Sequence, residues 1–293
     1  MLAKYKVLVP LFVVALVVLV YWQGVYHGIG LLDDQHVLMN LTTVNGQSWL
    51  EGFINYLNIK GSLVARPISY LSFYLQKDQF GVDLSTFKMV NVGLHSINTL
   101  IVFFLAKKLA RDVSNDAVTG TPLLVALLCA FVWALSPIQM STVLYITQRM
   151  AELSALFSFS ALLVFVYARI ILNPKKQFYV LFFVVSPLVV LGILCKENAI
   201  LTLLSIIVID LTVYSHTTNT RLYSAWKVMS VYAPLVLLVV YFMLNYDRYF
   251  INAYATRDFS LYERVITQSR ILVEYLTKIF FFSAYEFGVV NNY

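Results

Sequence analysis

The sequence predicts an all-α, polytopic transmembrane protein with seven spans, and an eighth if its last amphipathic segment also crosses the membrane. Of its 293 residues, 60% are hydrophobic and only 12% are charged, which is too little charge to cover a soluble domain of this size. Several apolar runs reach or approach the length of about 20 residues that a helix needs to span hydrocarbon. We therefore expect one helical membrane domain over residues 1–293.

Seven apolar runs supply the predicted spans. They are Val7–Trp22, Met89–Leu105, Pro122–Leu135, Met150–Leu172, Phe178–Cys195, Ala199–Tyr214 and Val228–Asn245. The first run follows the short basic stretch Met1–Lys6, is longer than the apolar part of a typical signal peptide and lacks a small-residue cleavage site. We expect it to remain as an uncleaved span.

A long section, residues 24–88, separates the first two spans. Trp49–Leu57 has apolar residues at helical spacing, and the section is rich in aromatic rings, which favour the membrane–water interface. Arg66-Pro67 marks a turn that places Pro67 at the first position of a helix over Ile68–Gln76. The section is therefore expected to form short helices on or near the bilayer surface, in one external loop.

The C-terminal residues 246–293 are expected to be external or interfacial. In Arg264–Phe282 the charged residues Arg270, Glu274 and Lys278 recur every four residues, opposite an apolar side. This pattern favours a surface helix or a partial span, and an eighth span is the alternative.

Basic residues divide the loops into two classes. The N-terminus and the loops after the second, fourth and sixth spans hold Lys4, Lys6, Lys107, Lys108, Arg111, Arg169, Lys175, Lys176, Arg221 and Lys227. By the positive-inside rule these residues, and the N-terminus, face the cytoplasm of a multi-pass protein. The expected location is the cell membrane, as a bacterial inner-membrane protein, or the endoplasmic reticulum in a eukaryote. The net charge of +6 is scattered and does not indicate nucleic-acid binding.

Charged residues on the opposite, external side are candidates for function, because ionisable groups near spans are costly and commonly functional or paired. Asp33 and Asp34 follow the first span. A carboxylate there can accept a proton from a hydroxyl, or two can help to bind a divalent cation. Helix capping by an aspartate is the alternative.

Two further charged pairs lie at the outer ends of spans. Arg149 and Glu152 are three residues apart and share a helix face, which favours either a local ion pair or a phosphate-binding arginine beside an orienting carboxylate. Lys196 and Glu197 occupy a tight turn between the fifth and sixth spans. The lysine either snorkels to the interface with its counter-ion or lies beside a lipid-linked phosphate.

The remaining polar candidates are less specific. Arg66, Arg264, Gln268 and Arg270 suit a phosphate head group and equally an ordinary anionic lipid. His95 is a packed polar residue or a metal ligand, with no second histidine three or four residues further on. The sequence contains no Gly-rich phosphate loop, zinc pattern, nucleophile elbow or dinucleotide fingerprint.

Polar motifs follow one another in a characteristic order. They are Leu32-Asp33-Asp34, Arg66-Pro67-Ile68-Ser69-Tyr70-Leu71-Ser72, Asn91-Val92-Gly93-Leu94-His95-Ser96-Ile97-Asn98, Ser136-Pro137-Ile138-Gln139, Tyr145-Ile146-Thr147-Gln148-Arg149, Cys195-Lys196-Glu197-Asn198-Ala199 and Thr267-Gln268-Ser269-Arg270-Ile271-Leu272. In this order they resemble the GT-C glycosyltransferases, specifically the membrane O-mannosyltransferases that carry tetratricopeptide repeats and their bacterial relatives. Members of that family continue through more spans and have a proline where this chain has Ser283.

The resemblance implies a transferase that moves a sugar from a polyprenyl-phosphate-linked donor to a protein hydroxyl or a lipid. It implies a catalytic aspartate at Asp33 or Asp34, with Asp33 preferred, which acts as the base in a direct displacement with inversion. The implied contacts to the donor phosphate are Arg149, Lys196, Arg270 and Arg66, and the implied residues that orient the substrate or a metal are Glu152, Glu197, Gln148 and His95. Whether a divalent metal is required stays open.

A non-catalytic membrane subunit or scaffold derived from the same fold is the alternative. The chain is shorter than the family it resembles, so a fragment, or a split enzyme whose second chain supplies the missing spans, is also expected. A transporter is less favoured, because the charges concentrate at one surface and not at the middle of the spans. In each case the expected partners include membrane lipids and exclude nucleic acid.

Overall fold

The regular structure of the chain is helical wherever it is described. The computed structural model describes residues 2–26, 33–44, 46, 48–59, 66–114, 120–171, 173–254 and 257–280. Its α-helices are α1 (Leu2–Tyr26), α2 (Asp33–Thr43), α3 (Trp49–Ile59), α4 (Pro67–Phe80), α5 (Leu84–Ser114), α6 (Thr121–Leu135), α7 (Gln139–Leu144), α8 (Arg149–Arg169), α9 (Pro174–Val180), α10 (Ser186–Cys195), α11 (Leu201–Thr212), α12 (Arg221–Lys227), α13 (Ala233–Leu244) and α14 (Leu261–Phe280). The all-α prediction is confirmed for these residues.

Among the residues that the structure describes, five helical segments are long and apolar enough to cross a membrane. They are Val9–Tyr26, Leu84–Ser114, Arg149–Arg169, Pro174–Cys195 and Arg221–Leu244. The chain is therefore a membrane protein by the length and composition of its helices. The other two predicted spans coincide with α6, of 15 residues, and α11, of 12 residues. Both are shorter than the roughly 20 residues of a typical span, so the count of seven stays a prediction.

Two of the long segments contain a proline that is accommodated by a widened turn. The π-helical turn Leu181–Val185 joins α9 to α10 just before Pro187, and Val228–Tyr232 joins α12 to α13 just before Pro234. Proline lacks an N–H and its ring clashes with the carbonyl of the preceding turn. The wider turn relieves that clash, so each helix continues through its proline.

The chain divides into two compact units, Met1–Asn219 and Thr220–Tyr293. In the first unit α5 is central and packs against α1, α6 and α8. The side of α6 that carries Ala126, Ala130 and Ala134 is fully buried. Small residues at this spacing let neighbouring helices approach closely, which explains the packing of α6 on α5.

The section between α1 and α5 forms short helices, as predicted. Pro67 is the first residue of α4, where its missing N–H costs nothing. The fully buried rings of Tyr56, Phe73 and Phe87 bring α3, α4 and the start of α5 into one aromatic core. The position of this section relative to a membrane remains a prediction.

The last described helix of the second unit is the amphipathic helix α14. Ser260 and Glu263 form a capping box at its start: the Ser260 N–H donates to Glu263 Oε2 at 2.7 Å, and the Glu263 N–H donates to Ser260 Oγ at 3.2 Å. Its apolar residues Tyr262, Ile266 and Val273 are more than half exposed. Such a face suits the predicted surface helix.

Candidate functional site

Asp34 anchors the start of α2 to the loop before α8. Its carboxylate accepts hydrogen bonds from the backbone N–H of Thr147, at 2.8 Å, and from the Thr147 hydroxyl. Asp34 is buried, and both bonds join residues 113 positions apart. Asp33 is the first residue of α2, but its side chain lies outside the described part of the structure. In this structure Asp34 anchors α2 to Thr147, and the catalytic role predicted for Asp33 or Asp34 stays a prediction.

Gln148, the residue after Thr147, contacts Lys196, the lysine that the sequence predicted for the site. Lys196 follows the last residue of α10, and its Nζ donates to Gln148 Oε1 at 3.2 Å. The next residue, Glu197, accepts two hydrogen bonds from Arg66, from Nε at 2.9 Å and from Nη2 at 2.6 Å. Asp34, Thr147, Gln148, Lys196, Glu197 and Arg66 thus form one chain of contacts and sequence neighbours, which we name the Lys196 cluster.

A backbone contact fixes the two sides of the Lys196 cluster. Ser69 on α4, one turn after Arg66, donates from its hydroxyl to the carbonyl of Cys195 at 2.9 Å. The last carbonyls of a helix have no partner within the helix, so this bond satisfies the end of α10 and ties it to α4. Arg66 and Glu197 are thereby held near each other by two independent contacts.

Lys196 and Glu197 have shifted proton affinities. Partial burial lowers the pKa of Lys196, the positive charge of Arg66 lowers it further, and the negative charge of Glu197 acts in the opposite direction. The hydrogen bonds from Arg66 hold the pKa of Glu197 below its usual range. Glu197 is therefore an anion at neutral pH. The surroundings of Lys196 favour the binding of a second negatively charged group next to it.

The pKa of Lys196 can be tested through its reactivity. Neutral amines are acylated, so Lys196 should react with a succinimidyl ester at lower pH than an ordinary lysine. Arg66→Gln should move the midpoint up and Glu197→Gln should move it down, because the two charges act with opposite sign. Mass spectrometry of the labelled peptide gives the profile; equal midpoints in all three proteins would contradict this electrostatic account.

Arg149 is buried between helices and does not lie at the surface of the cluster. Its Nε donates to Asn91 Oδ1 at 3.0 Å, its Nη2 donates to the Phe87 carbonyl at 2.9 Å, and its Nη1 donates to the Ser72 carbonyl at 3.4 Å. The guanidinium also lies over the Phe73 and Phe87 rings, 4.8 and 5.0 Å from their centroids. Each nitrogen already has a protein acceptor, so in this structure Arg149 joins α4, α5 and α8.

Glu152 and His95 contact each other and not their sequence neighbours. The His95 Nδ1 lies 3.0 Å from Glu152 Oε1, and both side chains are fully buried. The local ion pair between Arg149 and Glu152, one of the two sequence-based interpretations, is not formed. Lys196 and Glu197 likewise contact Gln148 and Arg66 instead of each other.

Two other predictions concern Arg270 and a divalent metal. Arg270 is an exposed residue of α14, in the second unit, so its predicted contact with the donor stays a prediction. Within the described ranges, no three His, Cys, Asp or Glu side chains are grouped so that they could hold a metal ion. The metal requirement thus remains an open prediction.

The structure adds two residues that were not singled out from the sequence. Thr147 supplies both donors to Asp34, and Ser69 joins α4 to the end of α10. Both lie inside the motifs that carry the resemblance: Thr147 directly precedes Gln148, and Ser69 is three residues after Arg66. Their position in those motifs was the only available signal, since a hydroxyl residue on its own indicates no partner.

The fold and the cluster define a helical membrane protein with a polar, partly basic group at the start of α4, the end of α10 and the start of α8. Comparison with known protein families, with curated proteins and with solved structures finds no match to this chain. Any more specific function therefore depends on the motifs and on the geometry of the Lys196 cluster.

Proposed function

We propose that the chain is a GT-C-type glycosyltransferase that uses a polyprenyl-phosphate-linked sugar as donor. The acceptor is a protein hydroxyl or a lipid on the outer side of the membrane. The observation that supports this best is the setting of Lys196, a partly buried cation between Gln148 and the Arg66–Glu197 pair. A cation in such a setting is suited to stabilise the negative charge that develops on a phosphate leaving group.

The roles in this proposal follow the cluster. Asp33 is the base that takes the proton of the acceptor hydroxyl. Asp34 holds the start of α2 against Thr147 and so fixes the position of Asp33 in the backbone. Arg66 is held by Glu197 and contributes positive charge beside Lys196, whereas Arg149, the residue after Gln148, joins α8 to α4 and α5.

The predicted topology determines on which side of the membrane the proposed reaction takes place. Seven spans with a cytoplasmic N-terminus would put the Lys196 cluster on the external side, where a flipped lipid-linked donor is available. The same positive-inside argument supports a bacterial inner membrane, or the endoplasmic reticulum of a eukaryote. A divalent metal and a second chain with further spans remain part of the proposal as open elements.

The experiment is a transfer assay with the full chain in proteoliposomes, supplied with a polyprenyl-phosphate sugar and a hydroxyl-bearing peptide. Lys196→Gln should lower kcat/KM by about 10²–10³-fold, the usual effect of removing one group that stabilises developing charge. Lys175→Gln is the matched control, because Lys175 is exposed on α9 and should leave transfer unchanged.

A second candidate is a non-catalytic subunit with the same fold. It predicts that no donor sugar is transferred by the wild-type protein and that Lys196→Gln instead weakens the capture of a partner. If the wild type transfers sugar and Lys196→Gln transfers it at the same rate, the role of the Lys196 cluster is wrong.

A further inference from the structure

A second polar group, which shares no side chain with the Lys196 cluster, is buried among α5, α6 and α8. It consists of His95 and Asn98 on α5, Glu152 on α8 and the backbone carbonyl of Ala134 on α6; we name it the His95 network. The His95 and Glu152 side chains have exposed fractions of 0% and 1%. Buried charges are strongly disfavoured unless they are paired and hydrogen-bonded, so the protons of this network can be counted from its contacts.

The contact with Ala134 fixes the first proton. His95 Nε2 lies 3.0 Å from the Ala134 carbonyl oxygen, which can only accept. His95 Nε2 must therefore carry a hydrogen. Tyr21 from α1 donates to the same oxygen at 3.0 Å, so the carbonyl near the end of α6 has both of its lone pairs engaged.

The contact with Asn98 fixes one oxygen of Glu152. Asn98 Nδ2 donates to Glu152 Oε2 at 2.7 Å and to the Glu152 backbone carbonyl at 3.0 Å. The opposite amide orientation would place an oxygen against two acceptors, so the assignment follows from the partners. Glu152 Oε2 therefore accepts, and the described residues offer it no acceptor to which a hydrogen of its own could be donated, so we assign no hydrogen to it.

The remaining hydrogens to assign are those between His95 Nδ1 and Glu152 Oε1, which lie 3.0 Å apart. With no hydrogen there, a nitrogen lone pair faces a carboxylate and a negative charge is buried. With two hydrogens, an N–H faces an O–H and a positive charge is buried. A single hydrogen satisfies both atoms and leaves the pair neutral overall, whether it resides on nitrogen or on oxygen.

The surroundings keep the pair in this arrangement. The Trp133 ring stacks on the His95 ring at 4.6 Å, and Tyr21 meets it edge-on at 5.4 Å. These rings restrict rotation of the imidazole, so Nδ1 stays directed at Glu152. Helices α1, α5, α6 and α8 all contribute to the network.

We propose that His95 and Glu152 together form a proton-binding site inside the spanning helices, which holds one shared proton while these helices are packed. This assignment is independent of the glycosyltransferase proposal. It makes the pair a neutral hydrogen-bonded link between α5 and α8, in place of the metal ligand that was one sequence-based interpretation of His95.

The test counts the proton spectroscopically in the full chain. With His27, His36 and His216 replaced by Gln, nitrogen NMR of ¹⁵N-histidine reports both nitrogens of His95. Infrared difference spectra between wild type and Glu152→Gln report whether Glu152 is a carboxylic acid. We expect a hydrogen on Nε2 together with one of two results: Nδ1 protonated and no acid band, or Nδ1 bare and an acid band. A bare Nε2, both signals together or neither signal would overturn the proposal.

Stability of two variants gives an independent readout. In Glu152→Gln the amide N–H can donate to His95 Nδ1 and the amide oxygen can accept from Asn98. The variant therefore keeps both hydrogen bonds of the neutral pair. It should shift the thermal midpoint by no more than about 4 °C. Glu152→Leu loses both contacts and should shift it several times further or prevent recovery of the folded protein. Equal losses in both variants would overturn the shared-proton assignment.

Discussion

Asp210→Ala will lower the free energy of unfolding by about 3–5 kcal/mol, because it leaves a buried arginine without its carboxylate. Arg169, at the end of α8, donates from Nε to Asp210 Oδ1 at 2.8 Å, and the two side chains are only 2% and 4% exposed. Its Nη2 donates to Asn219 Oδ1 at 2.6 Å, but an amide does not replace the negative charge. In a thermal melt of the purified protein the expected decrease of the midpoint is roughly 6–20 °C.

Two further variants give this prediction its controls. Asp78→Ala removes an exposed acid of α4 and should change stability by no more than about 0.5 kcal/mol. The double variant Arg169→Met, Asp210→Leu removes both charges at once and should be less destabilised than Asp210→Ala. If Asp210→Ala melts like Asp78→Ala, the contact between α8 and α11 does not stabilise the fold.

Asp33→Asn will lower sugar transfer by about 10²–10⁴-fold, the usual contribution of a general base, if the proposed function is correct. Asn keeps the size of the side chain but cannot take a proton from the acceptor hydroxyl. Membrane insertion and the thermal midpoint should stay close to those of the wild type. The rate is measured in the proteoliposome assay at saturating donor, so that a change in donor affinity does not enter.

Asp34→Asn separates the two adjacent aspartates. The amide retains one acceptor for the backbone N–H of Thr147 but loses the charge that strengthens both bonds. We expect a loss of about 1–3 kcal/mol in stability, with a smaller loss of transfer than in Asp33→Asn. Normal transfer by Asp33→Asn, or a stronger effect of Asp34→Asn on kcat than on stability, would contradict this division of roles.

Local patterns predicted the helices well. Pro67 begins α4 and Trp49 begins α3, as their spacing indicated, and Ser136-Pro137 ends α6. The residues named for the site were predicted less completely. Gln148, Lys196, Glu197 and Arg66 are brought together, but sequence neighbours that were interpreted as pairs have distant partners: Arg149 contacts Asn91, and Glu152 contacts His95.

Arg169 shows the same limit of a sequence-based interpretation. It was counted among the loop cations that set orientation, yet it is buried against Asp210, 41 residues away. Lys108 is similarly buried and contacts Asp112, which also accepts from the Tyr214 hydroxyl. A count of lysines and arginines cannot distinguish a free loop cation from one that is neutralised by a neighbouring helix.

The sequence by itself determined that this chain is helical and membrane-embedded, because hydropathy and helical spacing are properties of contiguous residues. Only the tertiary structure decided which polar groups meet: Asp34 with Thr147, Lys196 with Gln148, and His95 with Glu152. These partners lie 48 to 113 positions apart. Their contacts depend on how α5, α8 and α10 pack, and no periodicity along one segment contains that information.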